Sequence, residues 1–170
     1  LFDIYITKFP APNLIADEYL ASLLAARPQD TTGVWLGLSI PYQSAALLAK
    51  AITTARGFVK VIAEEYRHPK IATAQALPIA YKEIMRKRDL ATIEMGIPVM
   101  LGEVVLYGLL DSPRVWIFSA QSPTLQNLGY MPGSIAVNID KLTGEIVTDH
   151  ELMADSDRLR LAQGEVFPDE

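Results

Sequence analysis

The chain contains no cysteine. That excludes a disulfide framework, a thiolate nucleophile and any Cys-ligated zinc or iron–sulfur site. It has only two histidines, His68 and His150, far apart in sequence, so no HExxH pair exists. No run reaches the roughly 18–20 apolar residues that a membrane span needs. The longest apolar stretch, Ile97 to Leu110, is broken by Pro98, Gly102, Glu103 and Gly108. GxGxxG, GxxxxGK[ST] and GxSxG are absent, and Gly37-Leu38-Ser39-Ile40-Pro41 shares only the Gly–x–Ser step with the last of them. No cofactor and no metal site are expected. A lack of cysteine is common to cytosolic and periplasmic proteins, so it leaves the compartment open, with the cytoplasm slightly favoured and a periplasmic or secreted protein not excluded. The first residue is Leu, so the natural start is expected upstream, and a signal peptide removed in maturation would leave no trace.

The chain has 170 residues, half of them hydrophobic, enough for one sizeable core or two small ones. Its net charge of −5 is unevenly placed. Residues 1–67 balance six Lys/Arg against six Asp/Glu, whereas residues 149–170 set Arg158 and Arg160 against seven acids, itself −5. The acidic end predicts a partly disordered, solubilising tail that disfavours nucleic acid and suits a basic protein partner.

Hydrophobic periodicity predicts an α+β fold. Phe2-Asp3-Ile4-Tyr5-Ile6-Thr7 alternates as a half-buried strand. Asn13 is the expected cap of a helix whose stripe is Ile15, Tyr19, Leu20, Leu23 and Leu24. Val34 to Ile40 reads as a strand, Ala45 to Arg56 as a helix stopped by Gly57, and Phe58 to Ala63 as a third strand. This β-α-β-α-β order ends at a polar break, Tyr66 to Pro69. Beyond it, Ala72 to Leu90 reads as a helix with Thr73 as cap and Pro78 near its first turn. Four strands follow at Val99–Leu109, Arg114–Gln121, Ser134–Asp140 and Glu145–Thr148. Asp140-Lys141-Leu142-Thr143-Gly144-Glu145 carries the clearest turn signal, and Asp111-Ser112-Pro113 is another. The expected domains are an α/β subdomain at 1–67, a helix packed on an antiparallel sheet at 68–153, and an acidic tail at 154–170.

Few side chains suggest chemistry. Glu103 lies inside an apolar strand, where burial would raise its pKa; a half-exposed sheet would simply turn it outward. His150 stands between Asp149 and Glu151, a setting that suits a metal or an exposed acidic turn alike. Adjacent Glu64 and Glu65 would point apart on a strand, while Glu83 and Glu94 are eleven residues apart in a helical region. Arg86-Lys87-Arg88 spreads over roughly 200° of a helix and has no interleaved aromatics, so it reads as a solvated surface. Tyr107, Trp116, Phe118 and Tyr130 all fall in the C-terminal strand region. If they share an open sheet face, they form an aromatic patch of the kind enriched in interaction sites.

Three resemblances sharpen these expectations. The strand Phe2 to Thr7, a helix, and Pro41 to Ile52 leading through Gly57 to Val59-Lys60-Val61 resemble the C-terminal domain of the ribosomal stalk protein and the related Clp protease adaptor. That resemblance implies a protein-binding module without catalysis. The helix Ile71 to Leu77, the strand Val115-Trp116-Ile117-Phe118 and the hairpin Ala136 to Val147 resemble a PepSY-type domain; the long insert Gln121 to Met131 departs from its compact pattern. The Trp-x-Phe strand followed by a Thr-Gly-Glu hairpin is also similar to a bacterial immunity-protein family. Both resemblances imply proteins that bind or restrain other proteins. The expected function is therefore a non-catalytic protein-binding module of the inhibitor or immunity kind, using the C-terminal sheet and the tail. The competing expectations are a hydrolase using Glu103 with a second carboxylate, and a small-ligand-binding protein with a pocket between the subdomains.

Overall fold

The computed structural model describes residues 1–27, 33–94, 105–121 and 135–165; for residues 91–94 and 105–111 it describes the backbone path alone. The fold is α+β, with helices and two small antiparallel sheets. The chain divides into two compact units, Leu1–Arg67 with His150–Glu170, and His68–Asp149.

In the first unit, β1 (Phe2–Lys8) is central in a sheet of order β2-β1-β3, with β2 at Val34–Trp35 and β3 at Phe58–Ala63. Both neighbours are antiparallel, in the registers Tyr5↔Trp35 and Tyr5↔Lys60. Alternation sends Ile4 and Ile6 to one face, where both are fully buried. There they meet Leu20 and Leu24 of α1 (Glu18–Ala25), Ala45, Ala49 and Ile52 of α2 (Tyr42–Thr54), and Leu36 and Leu38. Each large aliphatic removed from water here contributes roughly 1.5–3 kcal/mol.

Two local signals differ from the sequence reading. The cap of α1 is Asp17, whose carboxylate accepts from the Leu20 N–H at 2.8 Å; Asn13 sits in a preceding 3-10 turn, Pro12–Leu14. The left-handed residue that ends α2 is Arg56, with φ of 69°, rather than Gly57. Gly57 answers a steric demand instead, because a Cβ there would lie 2.6 Å from Ile52 Cγ2 and 3.0 Å from the Lys8 carbonyl oxygen. Tyr19, expected in the apolar stripe, is exposed.

In the second unit, α3 (Thr73–Glu94) lies on a sheet of order β4-β5-β6-β7. The strands are Val105–Asp111, Val115–Gln121, Ile135–Asp140 and Ile146–Val147, all antiparallel. Ala76, Ala80 and Ile84 recur every four residues, and the two alanines bring the helix close to Phe118, Ala120, Val137 and Ile139. Residues 99–104 of the expected first strand lie outside the described residues.

Thr73 does not cap α3. The Gln75 side-chain carbonyl reaches back to the Ala72 N–H at 2.9 Å, the returning half of a capping box. Pro78 lies inside the helix, as the sixth of its residues. The entry to α3 is tied to the hairpin between β6 and β7: the Lys70 and Ile71 N–H groups both donate to the Lys141 carbonyl at 2.9 Å, and the Trp116 indole N–H donates to the Ile71 carbonyl at 2.9 Å. The hairpin turn follows its sequence signal. Asp140 Oδ1 accepts from Leu142 and Thr143, and Gly144 takes φ of 74°.

The acidic end is not a loose tail over its described length. Asp149–Ala162 forms α4, which from His150 onward belongs to the first unit. Leu159 packs against the first unit's core. The Arg158 guanidinium sits 4.1 Å from the Tyr42 ring centre and 5.8 Å from that of Phe2. Gln43 Nε2 donates to the Ala162 carbonyl, Lys50 Nζ to the Gln163 carbonyl, and Gln163 Nε2 to the Ala46 carbonyl. Phe167 lies outside the described residues.

Candidate functional site

Of the four expected aromatics, Trp116 and Phe118 have described side chains, and these two do not form an open patch. Trp116 and Phe118 do share one face of β5, being two residues apart, but that face is the one covered by α3. Phe118 is 4% exposed and belongs to the core. Trp116 is half-buried and covered by Lys141, whose Nζ lies 4.1 Å from the ring centre. Tyr130 and Glu103 lie outside the described residues, and the Tyr107 side chain does so too. His150 is exposed in the first turn of α4. Among the described residues no group of three His, Asp or Glu side chains could hold a metal ion. Each member of the basic run has a partner: Arg86 binds Glu83 (Nε to Oε2 2.9 Å), Lys87 donates to the Ala136 carbonyl, and Arg88 donates to Asp89. That hydrogen bond to Arg86 also holds the Glu83 pKa below the ordinary carboxylate range.

The first unit supplies a surface that periodicity alone does not reveal. Its helices α1, α2 and α4 all pack on the Ile4/Ile6 face of the sheet. Alternation and register place Tyr5, Thr7, Trp35, Phe58, Lys60 and the buried Asp3 on the opposite face. Tyr5 and Trp35 are cross-strand neighbours, their rings edge to face at 5.2 Å. Phe58 is 61% exposed, with Lys8 Nζ lying 5.4 Å from its ring centre. Desolvation by its surroundings holds the Lys60 pKa below the ordinary lysine value. Among the described residues neither Lys8 nor Lys60 has a carboxylate at ion-pair distance.

At the other end of this face, fully buried Asp3 organises a polar lock. Its Oδ1 accepts from Leu38 N–H at 2.8 Å and Oδ2 from Gly37 N–H at 3.1 Å, with Arg67 Nε 3.4 Å away. Arg67 also donates to Glu64 at 3.1 Å and to the Ser39 hydroxyl at 3.2 Å, and that hydroxyl donates to Glu64. Among the described residues the base that the serine meets is thus a carboxylate already paired with a guanidinium, a weak activator for a nucleophile. The lock fixes the loop after β2 against β1. Elsewhere, a small apolar pocket of about 60 Å³, lined by Phe9, Pro10, Ile15 and Leu24 among others, offers few polar groups. It is far below the roughly 300–1,000 Å³ of ordinary ligand sites.

Comparison with protein-family models, with curated proteins and with solved structures returned no match for this chain.

Proposed function

We propose that this protein is a non-catalytic protein-binding module of the inhibitor or immunity kind. The observation that carries the reading is the face of the first sheet that, among the described residues, no helix of its own unit covers, bearing Tyr5, Trp35 and the exposed Phe58 beside Lys8 and Lys60. Aromatic side chains supply large contact area at low entropic cost and are enriched in binding hot spots. The surface therefore lies in the N-terminal sheet, and the resemblance to stalk and adaptor domains points the same way. Among the described residues no helix is long and apolar enough to cross a membrane.

The test is affinity capture from the source organism, with quantitative mass spectrometry, using the wild type, Phe58→Ala and Lys60→Ala. Both positions are exposed, so the variants should stay folded. The reading expects a stoichiometric partner held by the wild type and lost from both variants. A partner retained equally by all three, or none at all, counts against it.

A further inference from the structure

We infer that the outer edge of β3 accepts an extended, acidic segment of a partner protein as an added strand. This rests on the protein-binding reading above and names the partner's chemistry. The argument begins with hydrogen-bond parity. Phe2 exchanges backbone bonds with Ile40, and Ile4 accepts from Leu36, so these residues direct their main-chain groups toward the β2 side. Asp3 and Tyr5 therefore face β3, where their register partners are Ile62 and Lys60. Lys60 and Ile62 bond inward, and Val59 and Val61 direct their N–H and C=O groups outward.

β3 is the end strand of the sheet, and among the described residues it pairs with β1 alone. Four outward main-chain groups at strand spacing make a template for β-addition. Lys60 stands between them. An edge lysine repels or desolvates against a neutral strand, which is how many proteins keep edges unpaired. Against an acidic strand the same lysine becomes an attraction. A residue placed beside Lys60 points to the same face, toward the aromatic surface and Lys8. Residues beside Val59 and Val61 point to the face that carries the helices. The fitting segment alternates acidic and apolar residues. The acidic end of this chain favours a basic partner, but this edge is opposite in sign.

A second copy fits poorly. The antiparallel register that fills all four groups, Val59 against Val61 in both directions, sets Lys60 opposite its own copy. A single-stranded nucleic acid would satisfy the lysines and stack on the rings, but it has no amide ladder for Val59 and Val61.

The experiment uses the full chain and labelled probes: a peptide of alternating Val and Glu, one of alternating Val and Lys, and a short oligothymidine. Fluorescence anisotropy reads affinity, and NMR amide exchange reads Val59 and Val61. The expected result is binding of the Val/Glu peptide about tenfold tighter than the Val/Lys peptide, with both amides slowed about tenfold when it binds. Lys60→Glu should invert the preference. The inference is overturned if the two amides are unaffected, if the two peptides bind equally, or if oligothymidine binds more tightly. Should it fall while Phe58→Ala still loses the captured partner, the binding reading survives alone. If the captured partner is also indifferent to Phe58, both fall.

Discussion

Replacing Asp3 by alanine removes the one carboxylate that joins β1, the loop after β2 and the turn at Glu64–Arg67. Two long-range backbone N–H groups, from Gly37 and Leu38, lose their acceptor, and Arg67 loses a buried counter-charge. Hydrogen bonds to a charged group contribute about 1.5–3 kcal/mol each, and breaking a buried ion pair costs about 3–5 kcal/mol. Arg67 keeps about a quarter of its side chain exposed and can turn to water, so the lower end applies. The expected loss is about 3 kcal/mol for Asp3→Ala, a large part of the ~5–15 kcal/mol of a typical domain. Asp3→Asn keeps the Oδ1 acceptor but turns a donor toward Gly37 N–H, so about half that loss is expected. Each unit has one tryptophan, Trp35 in the first and Trp116 in the second. Urea unfolding followed by fluorescence in a Trp116→Phe background therefore reads the first unit. With a slope of about 1.5 kcal/mol per molar, the alanine variant should unfold roughly 2 M earlier. A shift below about 0.5 M would show that the buried carboxylate costs as much desolvation as its bonds return, and would refute the reasoning.

Leu159→Ala should lower the same transition by about 1–2 kcal/mol, since the side chain is half-buried on the first unit's core, and truncation after Met153 should cost more; an unchanged midpoint would mean that α4 docks without contributing. Gly144→Ala should cost about 1 kcal/mol in the second unit, read from Trp116 in a Trp35→Phe background. There the added Cβ meets Ile71 and Ile79 only at ordinary contact distance, so the strain is that of a positive φ. Burial raises the Tyr42 pKa above the ordinary value of about 10, with Asp155 adding and Arg158 opposing. A raised folded pKa means that this contribution is complete below pH ~10 and is lost as pH climbs through the raised value. Thermal melts between roughly pH 9 and 11 should show an alkaline loss that Tyr42→Phe reduces; an identical loss in the variant would place its origin elsewhere.

The element order up to the last hairpin was legible because it is local. Alternation in Phe2 to Thr7, the apolar spacing in α2 and α3, and the Asp140–Glu145 turn are each set by neighbours within a few residues. The end of α2 shows where local reading stops. A glycine after a helix suggests a left-handed cap, but Gly57 is small because Ile52 and the Lys8 carbonyl crowd it, and the cap falls to Arg56. The last helix was illegible for the opposite reason. Its docking rests on Leu159, on Arg158 against two rings and on side-chain bonds to carbonyls, so no apolar stripe announces it. Its acids read as a tail because charge counts are blind to what the intervening side chains touch.

Which aromatics share an uncovered face is illegible for the same physical reason in both sheets. Alternation separates the two faces of a strand, but which face is covered depends on which helix arrives. In β5, Trp116, Phe118 and Ala120 form one row, and its burial follows from the small residues Ala76 and Ala80 that let α3 approach. In β1, Tyr5 occupies the polar row of an ordinary amphipathic strand. It becomes part of a surface only because the chain returns thirty residues later to set Trp35 opposite it, and again to bring Phe58 and Lys60 onto that face. Nothing in the local pattern of residues 2–8 encodes either return. The backbone parity that leaves Val59 and Val61 facing outward is likewise fixed by a partner, the register with β1 that sets Lys60 opposite Tyr5 and Ile62 opposite Asp3. A single-residue slip in that pairing would turn the outward groups inward and move Lys60 to the core face, so the proposed edge depends on a register that no local pattern in β3 encodes.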